Sequence, residues 1–386
     1  LNSFIPEPFS ILDAQFLRVK SDLPTVAAED VVTKLAKPTP SIMLLDVRSE
    51  GEFFETQIPQ SISVPLLDNE QRTLVGTKYK TSGPNAAIHL AEELMKPVWQ
   101  KKIESWISVV RANQNFPVYV MCWRGGLRSQ IVTHVLRNHQ VDAIQVRGGS
   151  KAVRKHLMTT DFALPDFCVV TGPTGSQKTK LITNNSFWSV DLEKIANHKG
   201  SSFGRTLDEH QPAQTTFENH LYLEILKQKE FNATLLFEDE SSTIGSVRIP
   251  AAIKLNMRNS PVVVVECPLE TRVQNIFDEY VLFPLSSNKT TTVGLLKHLQ
   301  DATLRLQTKL GHQNTNNILE ALNRAFINEQ PLEAYRHEEW ITQLLVDYYD
   351  PMYAYSFKRF PRPIEFTGDF KTVNEFLQDK GKNGKI

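Results

Sequence analysis

The sequence is poor in cysteine. Of 386 residues only Cys122, Cys168 and Cys267 carry thiols, and they stand too far apart for a disulfide framework or a zinc-binding spacing. A reducing cytoplasm is the expected home. No apolar run approaches the ~20 residues that a membrane helix needs, so no membrane partner is expected. The opening, LNSFIPEPFS, lacks the basic start and long apolar stretch of a secretory leader. Neither sign of charge is in excess: 43 basic and 43 acidic side chains leave any nucleic-acid binding to local patches. Internal repeats and low-complexity segments are also missing. What remains is a chain of ordinary composition, long enough for two domains that each bury a core.

Strand and helix signals alternate from the start. SIMLLDVRS, SISVPLL, PVYVMC and VDAIQVRGG read as short strands, with helical spacing in AAIHLAEELM and LRSQIVTHVLRNH. FCVVTG, TLLFEDE and SPVVVVECP begin a second series, and RPIEFTG is a late strand before the helix DFKTVNEFLQD. Repeated β–α order predicts α/β architecture, with mainly parallel sheets flanked by helices. The expected division is a first domain over 1–150, a linking helix and loop over 151–166, and a second α/β domain over 167–386. The second domain carries a mostly helical insertion over about 281–346. The tail KGKNGKI reads as frayed.

Cys122 ends the strand PVYVMC and is followed by WRGGLRSQ. Strand, loop and helix in that order can curl backbone N–H groups around an anion, with the positive end of the helix behind them. A cysteine so placed is drawn toward thiolate. Gly125 and Gly126 permit a tight turn, and Trp123, Arg124 and Arg128 complete a candidate anion cradle. The spacing from Cys122 to Arg128 suits two chemistries, that of cysteine phosphatases and that of rhodanese-type sulfurtransferases. The stretch LLDVRSEGEFFETQIPQSISVPLL resembles the rhodanese entry motif at Asp46 and Arg48, which read as an internal ion pair supporting the loop.

FCVVTGPTGSQKTKLI presents strand, glycine loop, Lys-Thr and helix in phosphate-loop order. Gly172, Thr174, Gly175 and Ser176 would wrap a diphosphate with their amides, Lys178 would neutralise it, and Thr179 could ligate Mg²⁺. Gln177 stands where the pattern has glycine. Either Gly175 supplies the positive-φ turn, or Gln177 carries backbone strain. In LLFEDESSTIG, Asp239 or Glu240 is expected to orient metal-bound water or to cap the next turn. No metal site is firmly assigned.

A cysteine loop and a phosphate loop in one chain, together with PLLDNEQRTLVGTKYK, VRGGSKAVRKHL, VDLEKIANHKGSSFG, FENHL, FEDESSTIG and YYDPMYAY, closely resemble the bacterial tRNA 2-selenouridine synthases, a rhodanese-like domain fused to a P-loop NTPase-like domain. The resemblance runs from about Leu45 to Tyr355. It implies a transferase that exchanges sulfur for selenium at C2 of wobble 2-thiouridine in tRNAs for Lys, Glu and Gln. Geranyl diphosphate first caps the sulfur, and selenophosphate then supplies selenium. On this reading Cys122 takes up selenium as a perselenide. The phosphate loop holds the geranyl donor's diphosphate, no prosthetic group is needed, and a selenophosphate-supplying enzyme is a partner. Arg147, Lys151, Arg154 and Lys155 read as an RNA-tracking stripe or as a solvated helix face. Trp123, Tyr348, Tyr349, Tyr353 and Tyr355 read as base-stacking rings or as core. Asp191, Glu193, His198 and Arg205 could bind metal or substrate. The alternative is a cysteine phosphatase fused to a nucleotide-binding domain.

Overall fold

A computed structural model describes residues 23–39, 41–113, 116–159, 164–204, 210–327 and 332–384. The chain divides into two compact units, Leu1–Asp161 and Phe162–Ile386.

The first unit is built on a parallel sheet of five strands: β1 (Thr25–Val26), β2 (Met43–Asp46), β3 (Ser61–Ser63), β4 (Val118–Met121) and β5 (Ala143–Val146), in the order β1-β5-β4-β2-β3. The central strand β4 and its neighbour β2 are buried along their whole length, as strands in a sheet covered on both faces should be. Leu45, Val120, Trp106 and Leu136 belong to the core between sheet and helices. Asp68 caps the long helix Asn69–Met95 in a reciprocal box with Gln71, and Gly83 at φ +84° breaks it before Pro84. The helix Gly149–Thr159 packs on the helix Ala28–Leu35. A linking helix and loop were expected over 151–166; the helix lies within the first unit, where Val153 and Leu157 are fully buried.

The second unit repeats the architecture with β6 (Asp166–Thr171), β7 (Ser189–Val190), β8 (Thr234–Glu238), β11 (Val262–Val265) and β12 (Ile364–Gly368), all parallel, in the order β12-β11-β6-β8-β7. A short antiparallel pair, β9 (Thr243–Ile244) and β10 (Val247–Arg248), lies apart from it. Alternate β6 residues feed two cores, Phe167 and Val169 on one face, Cys168 and Val170 on the other. Helices follow one another from Leu269 to Ala325 and again from Ala334 to Arg359, with π-helical turns at Asp278–Leu282 and Leu345–Tyr349. This segment is longer than the 281–346 expected, and it has its own core around Leu299, Leu322 and Trp340. The tail is ordered to Gly384. Gly381 lies against Trp188, where a Cβ would stand 2.5 Å from the indole Nε1, and Ala233 N–H bonds Gly384 O at 3.1 Å.

Candidate functional site

Each unit places a loop at the carboxyl edge of its sheet, where parallel α/β folds leave room for ligands. In the first unit β4 ends at Met121 and Cys122 follows. Its Sγ accepts the Gly126 N–H at 3.3 Å and lies 3.2 Å from Ser129 Oγ. The cysteine is 3% exposed. A Cβ on Gly126 would meet nothing within 4 Å.

The cysteine loop interlocks with the turn after β5. Ser150 N–H bonds Cys122 O at 2.8 Å and Lys151 N–H bonds Trp123 O at 3.1 Å. Gly125 and Gly149 both have positive φ, +65° and +61°. A Cβ on Gly149 would stand 2.0 Å from Cys122 O. Gln145, buried on β5, donates to Gly125 O at 2.8 Å and to Ser129 Oγ at 2.9 Å. Sequence reasoning missed this residue, although one amide in an otherwise apolar strand was the available signal.

Asp46 and Arg48 form a fully buried ion pair with the guanidinium bound to both carboxylate oxygens, and Arg48 also donates to Thr56 O. The Arg48 guanidinium stands 5.9 Å from the centre of the Trp123 ring. Arg128 is committed elsewhere, making paired bonds at 2.5 and 3.1 Å to Glu52. Burial works to raise the Glu52 carboxyl, but Arg128, the Ser49 amide and Arg72 outweigh it and hold the group down at about 2. Arg128 therefore braces the loop, and Arg124 is the exposed cation beside it. Arg147, Lys151 and Lys155 are exposed and Arg154 is half-buried.

In the second unit the phosphate loop leaves β6. Both Gly175 (φ +85°) and Gln177 (φ +61°) are left-handed, and Gln177 caps the helix Lys178–Asn184 from that conformation. Its side chain bonds Asn275 Oδ1 at 2.6 Å, while Asn275 donates to Gly175 O at 2.8 Å. Arg272, on the same helix as Asn275, makes paired bonds to Asp350 at 2.7 and 2.9 Å and reaches Thr174 O. The helix Leu269–Phe277 thus clamps the loop. Gly172 packs against Val265, leaving no room for a side chain. Ser176 Oγ is buried with no partner among the described residues, as a hydroxyl awaiting an anion would be.

Lys178 Nζ lies 3.8 Å from Glu238. Thr179 Oγ1 contacts Glu238 at 2.9 Å and Glu193 at 3.0 Å. Glu193, Glu238 and Glu240 bring carboxylate oxygens within 4.8 Å of one another. Burial and then the Glu238 charge push Glu193 up to about 8. Burial and the neighbouring carboxylates likewise raise Glu238 and Glu240. One hydroxyl proton cannot serve two carboxylates, so the second contact requires a protonated carboxyl or a shared cation. An all-oxygen set with a hydroxyl next to a phosphate loop fits Mg²⁺. Of the two acids expected here, Glu240 joins the cluster. Asp239 does not: it pairs with Arg362 and accepts from Thr171. Glu238 was missed, yet alternation along the end of β8 separates Glu238 and Glu240 from Asp239.

Asp191 caps its helix through Lys194 N–H, His198 lies against Gly245, and Arg205 is outside the described residues. Tyr348 is buried in the helical core with Tyr349 packed against it, and Tyr353 lies against Phe357; Tyr355 is exposed.

Residues 165–383 match the family model described as the tRNA 2-selenouridine synthase AAA domain. The chain is 34% identical to a tRNA 2-selenouridine synthase of Nitrosomonas europaea over 92% of its length and 98% of the relative's. It is 35% identical to one of Pseudomonas syringae over 88% of this chain and 95% of the relative. Among solved structures, an N-terminal domain of an ATP/GTP binding protein from Clostridium difficile aligns with 27% identity over 35% of this chain and 98% of that one, at a TM-score of 0.31.

Proposed function

The chain belongs to the tRNA 2-selenouridine synthase family, and from that premise we propose that it exchanges sulfur for selenium at the wobble 2-thiouridine of tRNAs for Lys, Glu and Gln in two steps. It is a transferase acting on tRNA. Similarity spanning both units is the observation that carries this reading.

In the first step the thiocarbonyl sulfur attacks C1 of geranyl diphosphate. The carbon–oxygen bond breaks, uridine N3 loses its proton, and diphosphate departs. Loop amides from Thr174 to Thr179 and the Lys178 ammonium receive the leaving group. Mg²⁺, when held by Thr179, Glu193, Glu238 and Glu240, would supply further neutralisation of the diphosphate. Alkylation turns a poor leaving group into a thiolate that can be displaced.

The second step is constrained by electron balance. Selenium in selenophosphate is already at the selenide level, so drawing it onto Cys122 as a perselenide would require an oxidant. The redox-neutral route keeps Cys122 as a thiolate. Its sulfur attacks C2, and geranylthiolate leaves and takes a proton from solvent. Selenium of selenophosphate then displaces the cysteine, and water cleaves the selenium–phosphorus bond to release phosphate. The Gly126 amide and Ser129 hydroxyl hold the sulfur; on this reading Arg124 meets the phosphate, and the exposed Arg147 and Lys151 meet RNA phosphates. An enzyme that makes selenophosphate is the implied partner.

The test is incubation with a 2-thiouridine RNA hairpin, geranyl diphosphate and selenophosphate, followed by nucleoside mass spectrometry. S-geranylated and then selenated uridine are expected. Absence of both products under every metal and pH condition overturns the proposal.

A further inference from the structure

Cations and aromatic rings gather where the helix Asp350–Arg359 turns toward β12. The Arg258 guanidinium lies 4.6 Å from the centre of the Phe360 ring. Arg359 lies 5.4 Å from the same ring and 5.8 Å from that of Tyr355, and donates to the Tyr355 hydroxyl at 3.2 Å. Tyr355 is 63% exposed and Phe360 37%; Arg258, Lys358 and Arg359 are exposed as well. No acidic residue occurs from Pro351 to Ile364. Nearby acids are already engaged, Asp350 by Arg272 and Asp239 by Arg362. Among the described residues no carboxylate pairs with Arg258, Lys358 or Arg359.

We propose that this face of the second unit is a docking surface for an RNA strand. Guanidiniums held on rings lose little freedom when their N–H edges meet phosphate, and the accompanying rings offer π-faces to unpaired bases. Three unpaired cations beside two exposed rings complement a polyanion that carries flat bases. Only the identification of the RNA as tRNA rests on the functional reading above; the surface itself rests on charge and ring geometry.

The test uses the full chain and fluorescence anisotropy with labelled oligouridine and a labelled RNA hairpin across a salt series. Arg258→Gln with Arg359→Gln should flatten the log–log salt dependence for the single strand by about 1.4, at about 0.7 for each phosphate no longer neutralised. Tyr355→Leu with Phe360→Leu should weaken binding about five- to a hundred-fold with the slope unchanged. All four side chains are at the surface, so melting profiles should match the wild type. If both variants bind RNA as the wild type does, the surface is wrong and the functional reading stands. Loss of binding to phosphatidylglycerol vesicles with RNA binding intact also overturns it, in favour of a membrane face. A wild-type chain that binds no RNA overturns both.

Discussion

Gly149→Ala is the sharpest structural perturbation of the cysteine loop, although Gly149 lies 27 residues beyond Cys122 in the sequence. At φ +61° an L-residue costs about 1–2 kcal/mol more than glycine. The added Cβ would stand 2.0 Å from Cys122 O and 2.6 Å from Gly125 N. Both are backbone atoms of a loop pinned on each side, so relief requires the two turns to separate. Overpacking of this kind costs about 1–3 kcal/mol, for a total near 2–5 kcal/mol. Gly126→Ala is the control: its φ is −97°, its Cβ position is open, and its N–H is retained, so a change below ~0.5 kcal/mol is expected. Because two units need not unfold together, the assay follows iodoacetamide labelling of Cys122, resolved by peptide mass spectrometry, against urea. The Gly149→Ala midpoint should fall well below that of the wild type, and the Gly126→Ala midpoint should coincide with it. Equal midpoints for all three proteins, or equal losses in both variants, would refute the interlock.

Glu52→Gln should change the acid limb of stability. The folded carboxyl is held down from 4.5 to about 2, so its stabilisation is present above the unfolded value and is lost as pH falls from about 4.5 toward 2. The difference in urea midpoint between wild type and variant should therefore shrink over that window. Gln177→Gly should leave stability within about 1 kcal/mol of the wild type, because relief of left-handed strain offsets the missing Asn275 bond and the greater freedom of the unfolded chain. Gln177→Val should lose more, since a β-branched residue tolerates φ +61° poorly; thermal melting distinguishes the two. Gln145→Leu removes the donor to Gly125 O and Ser129 Oγ and should cost about 1–3 kcal/mol, read by the same Cys122 labelling midpoint.

The sheets and both loops were legible because their signals are local. An apolar run ending in Cys-x-Arg-Gly-Gly, or in a glycine loop with Lys-Thr, fixes strand, turn and helix within a dozen residues. The buried Asp46–Arg48 pair, two residues apart, was legible for the same reason. The Glu52 partner of Arg128 was not legible because it lies 76 residues away, and an arginine near a cysteine looks free until the fold supplies a carboxylate. The acidic cluster was half seen. Glu240 was named and Glu238 was not, because residues at a strand end were weighed as neighbours when they lie on opposite faces. The ordered tail depends on Trp188 meeting Gly381, a meeting of distant parts of the chain that no composition reveals.

The central claim is that the phosphate loop serves only the alkylation step and Cys122 only the exchange that follows. RNA carrying chemically prepared S-geranyl-2-thiouridine bypasses the first step. Given that RNA and selenophosphate, Lys178→Ala should form 2-selenouridine at close to the wild-type rate, although it makes none from the 2-thiouridine RNA. Cys122→Ser should accumulate S-geranylated RNA from the 2-thiouridine RNA and leave the prepared RNA unconverted. A folded Lys178→Ala protein that cannot selenate the prepared RNA would contradict this division of labour.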